Sequence, residues 1–275
     1  MIKFMVDSAS DCRKEDNLFD LFVPLAINID GKEYLDGVDI DSDTFYDLLL
    51  NAKNFPFTSQ PATQTFVDIF EQVKADGDEL IYFPISSNLS GTYQGAVLAK
   101  SMVEYDKIHI ADSLGATHMI GLLIQVANEM RANGATAEEI VEKCENLKTK
   151  IRVFAGVDTL EYLRKGGRLS NASAIVGEIA KVKPIVEVLD GKVEAIGKCI
   201  GKNRAMQFLL NKVSEYEIDE SYPFYSLYTY GTENCEFMEG KLAEAGYKIT
   251  ERRQVGSTIG THVGPGVYAV LFVTK

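Results

Sequence analysis

Apolar positions in the first 150 residues follow two rhythms. Ile2–Val6, Leu80–Ile85 and Lys107–Ala111 are short runs rich in β-branched and aromatic residues, and they read as strands. Between or after them lie Thr63–Lys74, Thr92–Glu104 and Gly115–Ala132, whose apolar residues recur at helical spacing. In the first of these, Phe66, Ile69, Phe70 and Val73 stand at i, i+3, i+4 and i+7, which puts them on one buried face. Thr136 followed by Glu139 fits a capping box that opens a further helix. Each strand leads through small hydroxylated residues into a helix, an order that predicts βαβ units and a mainly parallel sheet.

From about Ile151 the rhythm changes. Val153–Val157 reads as a strand, followed by a short helix closed by Gly166-Gly167. Ile185–Leu189 and Val193–Ile196 flank Asp190-Gly191, a dipeptide that favours a two-residue hairpin turn and hence antiparallel pairing. Further strands are expected at Phe224–Tyr230 and Val267–Val273. The expected fold is therefore α/β in two domains. Residues 1–150 would carry a mainly parallel sheet with helices, and residues 151–275 an α+β unit with antiparallel strands.

Composition narrows the function. A net charge of −12 opposes nucleic acid or an anionic membrane as the main partner, because the summed field repels both. The longest apolar stretch, Met119 to Ala127, is broken by Gly121 and Gln125 and falls short of a membrane span. The N-terminal run lacks a basic start and a cleavage site, so cytoplasmic location is the expectation. Cys12, Cys144, Cys199 and Cys235 lie far apart without C-x-x-C spacing, and His109, His118 and His262 form no H-x-x-x-H pair. Neither a metal nor another cofactor is expected.

Candidate chemistry lies in hydroxyl-rich strings at strand ends: Asp7-Ser8-Ala9-Ser10, Thr58-Ser59-Gln60-Pro61, Ser86 to Thr92, and Asp112-Ser113. Ligands of open α/β sheets collect at that edge, and helix N-termini attract anions. The same residues are also the preferred helix caps, so each string alone reads first as a structural feature.

Thr58-Ser59-Gln60-Pro61, the run Ile85 to Gln94, the run Thr159 to Arg168, Lys183-Pro184-Ile185 and Gly260 to Gly266 together resemble the DegV family, in the family's order and across nearly the whole chain. The resemblance implies a carrier that holds a long-chain fatty acid such as palmitate between two domains. It also implies presentation of the carboxylate to a separate ATP-dependent fatty acid kinase subunit, which makes acyl phosphate for phospholipid metabolism. Carried over motif by motif, the carboxylate contacts would be the hydroxyls of Thr58 and Ser90 and the imidazole of His262. Backbone N–H groups around Gly91 would help, and Arg168 would stand near the entrance. Apolar runs such as Ile120–Val126 and Ala174–Ile179 are candidates for the pocket wall, or for ordinary core.

A serine hydrolase is the alternative from another class, with Ser90 as nucleophile, His262 as base and Asp7 or Asp112 as orienter. Against it, Ser90 lies in Asn88-Leu89-Ser90-Gly91, outside any G-x-S-x-G elbow. Neither glycine-rich nucleotide fingerprint is present. Finally, the segment Arg164 to Arg204 holds nine basic residues against four acidic ones. On an acidic body this reads as a docking face for a partner, with Lys202 and Arg204 in it, or as a solvated face whose charges scatter on folding.

Overall fold

The computed structural model describes residues 1–170 and 182–275, and these form three sheets. The first sheet has the order β2-β1-β6-β7, built from β1 (Ile2–Asp7), β2 (Leu21–Val23), β6 (Glu79–Phe83) and β7 (Ile108–Ile110), all parallel. Its central strands are apolar on both faces, which is what a parallel sheet covered by helices on each side demands. On one face Met5, Leu80 and Tyr82 pack under α2 (Thr63–Asp76) and α3 (Thr92–Val103). On the other, Phe4, Val6, Ile81 and Phe83 pack under α4 (His118–Ala132) and α5 (Ala137–Lys148). The Thr136–Glu139 capping box forms as expected.

A second, three-stranded antiparallel sheet was not anticipated: β4 (Lys32–Leu35), β3 (Ala26–Ile29) and β5 (Phe57–Ser59), packed on α1 (Ser42–Asn51) through Ile27, Ile29, Phe45 and Tyr46. Its turn, Asp30-Gly31, holds φ of 51° and 84°, the same left-handed pair that Asp190-Gly191 adopts at 48° and 77°.

The third sheet has the order β10-β9-β8-β13-β11-β12, from β8 (Ile151–Gly156), β9 (Val182–Leu189), β10 (Lys192–Ile200), β11 (Tyr225–Tyr228), β12 (Glu251–Gln254) and β13 (Tyr268–Val273). Every pairing is antiparallel except β11 with β12. Side chains alternate across a strand, so its two faces differ. Phe154, Tyr268, Val270 and Phe272 face α7 (Lys202–Ser214) and α8 (Glu233–Glu244). Val153, Ala155, Ala269 and Leu271 join the core beneath α4 and α5. Two short helices, α6 (Glu161–Lys165) and α9 (Ser257–Val263), follow β8 and precede β13.

The expected fold class holds: a mixed α/β chain with a parallel sheet and a separate, mostly antiparallel one. The helix expected from Gly115 starts later, at His118, because Leu114 and Thr117 take positive φ of 46° and 52° in the loop before it.

Candidate functional site

The inner face of the six-stranded sheet is the floor of an apolar cavity. Val153, Ala155 and Val157 line it from β8 and the residue after it, Val186 and Val188 from β9, and Val193 from β10. Register aligns them in rows, with Ala155 opposite both Val186 and Ala269, and Val153 opposite Val188. Ile259 and Val263 of α9, with Leu25, Ile85, Leu89 and Met119, close the other side. The centres of water-sized spheres can occupy about 100 Å³ of it. One water requires only ~10–15 Å³ by that measure, so the space is several times what a single buried water needs.

Four of the five residues singled out for ligand binding line this cavity: Thr58, Ser90, Arg168 and His262. They arrive from four separate places. Thr58 is held on β5 by pairing with Ile27 of β3, Ser90 lies in the loop between β6 and α3, Arg168 follows the Gly166-Gly167 turn after α6, and His262 sits in the last turn of α9. Thr58 Oγ1 and His262 Nε2 are 2.8 Å apart. Arg168 donates from Nε to the carbonyl of Leu89 at 3.0 Å and from Nη1 to that of Gly166. Ser90 Oγ and Thr92 Oγ1 share a bond of 2.8 Å at the start of α3. Gly91 does not line the cavity; it is the N-cap of α3, and a Cβ there would collide with the Gln60 side chain at 2.0 Å.

The electrostatics of this end are unbalanced. Burial, with the Arg168 charge adding to it, lowers the His262 pKa to about 4. His262 Nδ1 is buried without a hydrogen-bond partner, close against Gly166, where a Cβ would stand 2.4 Å from it. The guanidinium of Arg168, half-buried, makes no ion pair with a carboxylate among the described residues, and burial lowers its pKa. An apolar cavity bordered by a guanidinium, an imidazole and hydroxyls is suited to an amphiphile with an anionic head.

The hydrolase arrangement is not assembled. Asp7 is occupied by Ala9 N, Tyr82 Oη and Ile85 N, at 2.9 to 3.1 Å. Asp112 accepts from the backbone of Ser87 and Leu114. Neither orients His262, whose bonded neighbour is Thr58, and Ser90 bonds to Thr92. His118 is a buried core residue, its Nε2 2.9 Å from the carbonyl of Gln254.

Of the two readings open for the apolar runs, wall or ordinary core, the structure gives core for the first. Ile120–Val126 packs in the core beside the parallel sheet, and Met119 is the part of α4 that reaches the cavity. Ala174–Ile179 lies outside the described residues. The wall comes instead from the alternation Val153-x-Ala155-x-Val157 and Val186-x-Val188, a period-two signal visible in the chain. The basic segment divides on folding. Lys165 pairs with Glu161, Lys183 with Asp158, and Lys181 is outside the described residues. Lys202 and Arg204 open α7, on the sheet face opposite the cavity, and follow the end of β10 that pairs with Val182 and Lys183.

The DegV family model matches residues 1–275, so the chain belongs to the DegV family. A DegV domain-containing protein of Caldanaerobacter subterraneus is 37% identical, with 100% of this chain and 99% of that protein covered. Among solved structures, a fatty-acid-binding DegV family protein from Thermus thermophilus superimposes with a TM-score of 0.88 at 27% identity, covering 100% of this chain and 99% of that one. A stearic acid-binding protein from Eubacterium ventriosum gives 0.85 at 29% identity, with 100% and 99% covered.

Proposed function

We propose that this DegV family member binds a long-chain fatty acid, with the tail in the valine- and alanine-floored cavity and the carboxylate among Thr58, Ser90, Arg168 and His262. The observation that carries this reading is the half-buried Arg168, without a carboxylate partner among the described residues, at the polar end of an otherwise apolar space. The fatty-acid-binding proteins whose structures match this chain over its full length support it. Energetically the tail dominates. At ~0.8 kcal/mol per buried CH₂, a sixteen-carbon chain such as palmitate gains roughly 11 kcal/mol before ordering costs. Each charge-assisted hydrogen bond to the head adds on the order of 1.5–3 kcal/mol.

The Thr58–His262 pair gives this head group a relay. With the neutral imidazole donating from Nε2 to Thr58 Oγ1, the threonine proton is free to donate to the carboxylate. Gly91 contributes by letting the loop that carries Ser90 close over Gln60. We further propose that the bound carboxylate is offered to a separate ATP-dependent kinase for acyl-phosphate formation, with Lys202 and Arg204 in the surface that meets it. Native mass spectrometry of the purified protein tests the first step. The expected result is a copurified mass of a few hundred daltons, released on denaturation and identified as a fatty acid. A protein that neither copurifies with nor takes up a long-chain fatty acid overturns the reading.

A further inference from the structure

Away from the cavity, Glu79, His109 and Glu138 bring three potential metal-donor atoms within 4.8 Å of one another. They are separated by tens of residues, so no short motif marks them, and they come from three rigid elements. Glu79 opens β6 and His109 is the middle residue of β7. The register Ile81↔His109, with the two-residue alternation of strands, puts Glu79 and His109 on the same sheet face. That face is the one α5 covers, since Ile81 packs with Ile140 and Leu147. Glu138 stands in the first turn of α5, whose start is fixed by the Thr136–Glu139 capping box.

The local charge is poorly compensated. His109 Nε2 lies 2.8 Å from Glu79 Oε1, but neither Glu79 nor Glu138 pairs with a lysine or arginine among the described residues. Two carboxylates and an imidazole form a mixed oxygen and nitrogen donor set suited to a first-row divalent ion. Ligands ~2.0–2.2 Å from a tetrahedral zinc stand roughly 3.3–3.6 Å apart, a spacing that small side-chain rotations reach from here. Glu138 is exposed and the other two are partly so, which leaves room for water as a fourth ligand. We propose that Glu79, His109 and Glu138 form a binding site for a divalent transition-metal ion, zinc above all, that ties the edge strand β7 to α5. The site is independent of the lipid cavity.

The test uses the full chain, stripped with a chelator and titrated with zinc chloride in competition with a chromophoric chelator. One zinc per chain is expected, with a rise in Tm of about 5 °C at saturation. Cobalt(II) in its place should give visible absorption typical of four-coordination. Glu138→Gln leaves the His109–Glu79 ion pair in place while removing one ligand. A tenfold or greater loss of zinc affinity in Glu138→Gln and in His109→Ala, with fatty acid affinity unchanged, supports the site. Absence of stoichiometric zinc binding, or affinity untouched by Glu138→Gln, overturns it and leaves a plain histidine–glutamate ion pair.

Discussion

Two groups of polar side chains are withdrawn from water in this protein, and they differ in what they leave unpaired. The first is a knot at the carboxyl end of β1. Asp7 accepts three hydrogen bonds from Ala9, Tyr82 and Ile85; Asp36 accepts two from Thr258, at 2.9 Å from N and 2.5 Å from Oγ1; and Asp11 accepts from Thr117. The second is the cavity end, where His262 Nδ1 has no partner and Arg168 has no carboxylate. Both groups are rich in hydroxyls and lie in strings of the same residue types. The knot spends most of its capacity on the chain itself, with Asp11 Oδ1 the carboxylate oxygen it leaves buried without a partner. The cavity end keeps capacity that the chain does not use, the Nδ1 lone pair of His262 and the guanidinium N–H groups of Arg168 beyond those that Leu89 and Gly166 accept.

That contrast predicts opposite consequences for substitution. Asp7→Ala leaves the Tyr82 hydroxyl and two backbone N–H groups buried without an acceptor, and should destabilise the fold by roughly 3 kcal/mol or more. Urea unfolding measures it; a loss under 1 kcal/mol would show that water replaces the carboxylate and that the knot is not closed. His262→Ala and Arg168→Ala, by contrast, remove groups whose hydrogen-bonding capacity the fold does not fully use. Fatty acid affinity should fall roughly 10- to 150-fold for each, with little change in the unfolding midpoint. Equal loss of stability in both groups would erase the distinction between them.

The same contrast has a pH signature in His262. A bound carboxylate counters the Arg168 charge and favours the imidazolium beside it, so the value should rise from about 4 on ligand binding. Affinity is then highest below the free-state pKa of about 4 and is lost as pH rises through the bound-state value. Histidine NMR titration with and without palmitate measures the shift, and identical curves would remove His262 from the head-group site.

Asp11 provides a smaller test from the knot side. Burial raises its pKa to about 7, above the unfolded carboxylate value, so the folded state holds a proton that the unfolded state releases. Its contribution is complete below the unfolded pKa and is lost as pH rises toward 7. Asp7, raised to about 6, acts in the same direction, whereas His118 and His262, lowered to about 4, weaken the fold as pH falls below the usual histidine value. Comparing wild type with Asp11→Asn cancels those other groups. Between pH 6 and 7 the wild type should lose roughly 1 kcal/mol relative to the variant. Parallel stability curves would mean that Asp11 is ionised in the folded protein throughout.

How far the sequence discloses this arrangement depends on the range of the interaction. Local rhythm located β1, β6, α2 and α3 to within a few residues, because burial on one or both faces writes itself into spacing. The Asp190-Gly191 hairpin is legible for the same reason, but the identical Asp30-Gly31 signal is weaker, since its strands are only four residues long and β5 joins them from more than twenty positions away. Thr58, Ser90, Arg168 and His262 were found through strings that resemble a family, and no spacing rule would have gathered them. The distinction between closed knot and open site was out of reach. Asp7-Ser8 and Ser90-Gly91 look alike as strings, and only long-range partners such as Tyr82 and Thr258 tell them apart.

The smallest effect belongs to the outer face. Lys202 and Arg204 open α7, whose apolar side packs on Phe154, across the sheet from Val153 and Ala155. Lys202 is partly engaged, its Nζ 3.3 Å from the carbonyl of Glu233 and 4.5 Å from the ring centre of Phe237. Neither residue lines the cavity, so reversing both to glutamate should leave fatty acid affinity within about twofold, as expected for exposed charges outside a binding site. The end of β10 that leads into them pairs with Val182 and Lys183, and Lys183 in turn is tied to Asp158, directly after Val157 at the cavity floor. The proposed kinase surface would include these two charges. Exposed charges of this kind act mainly on encounter, so the double reversal should slow acyl-phosphate formation several-fold at low salt, with the difference vanishing as salt rises. Turnover equal to wild type at low salt would take α7 out of the docking surface while leaving the cavity assignment intact; a parallel loss of fatty acid affinity would instead mean that the two faces of the sheet are coupled.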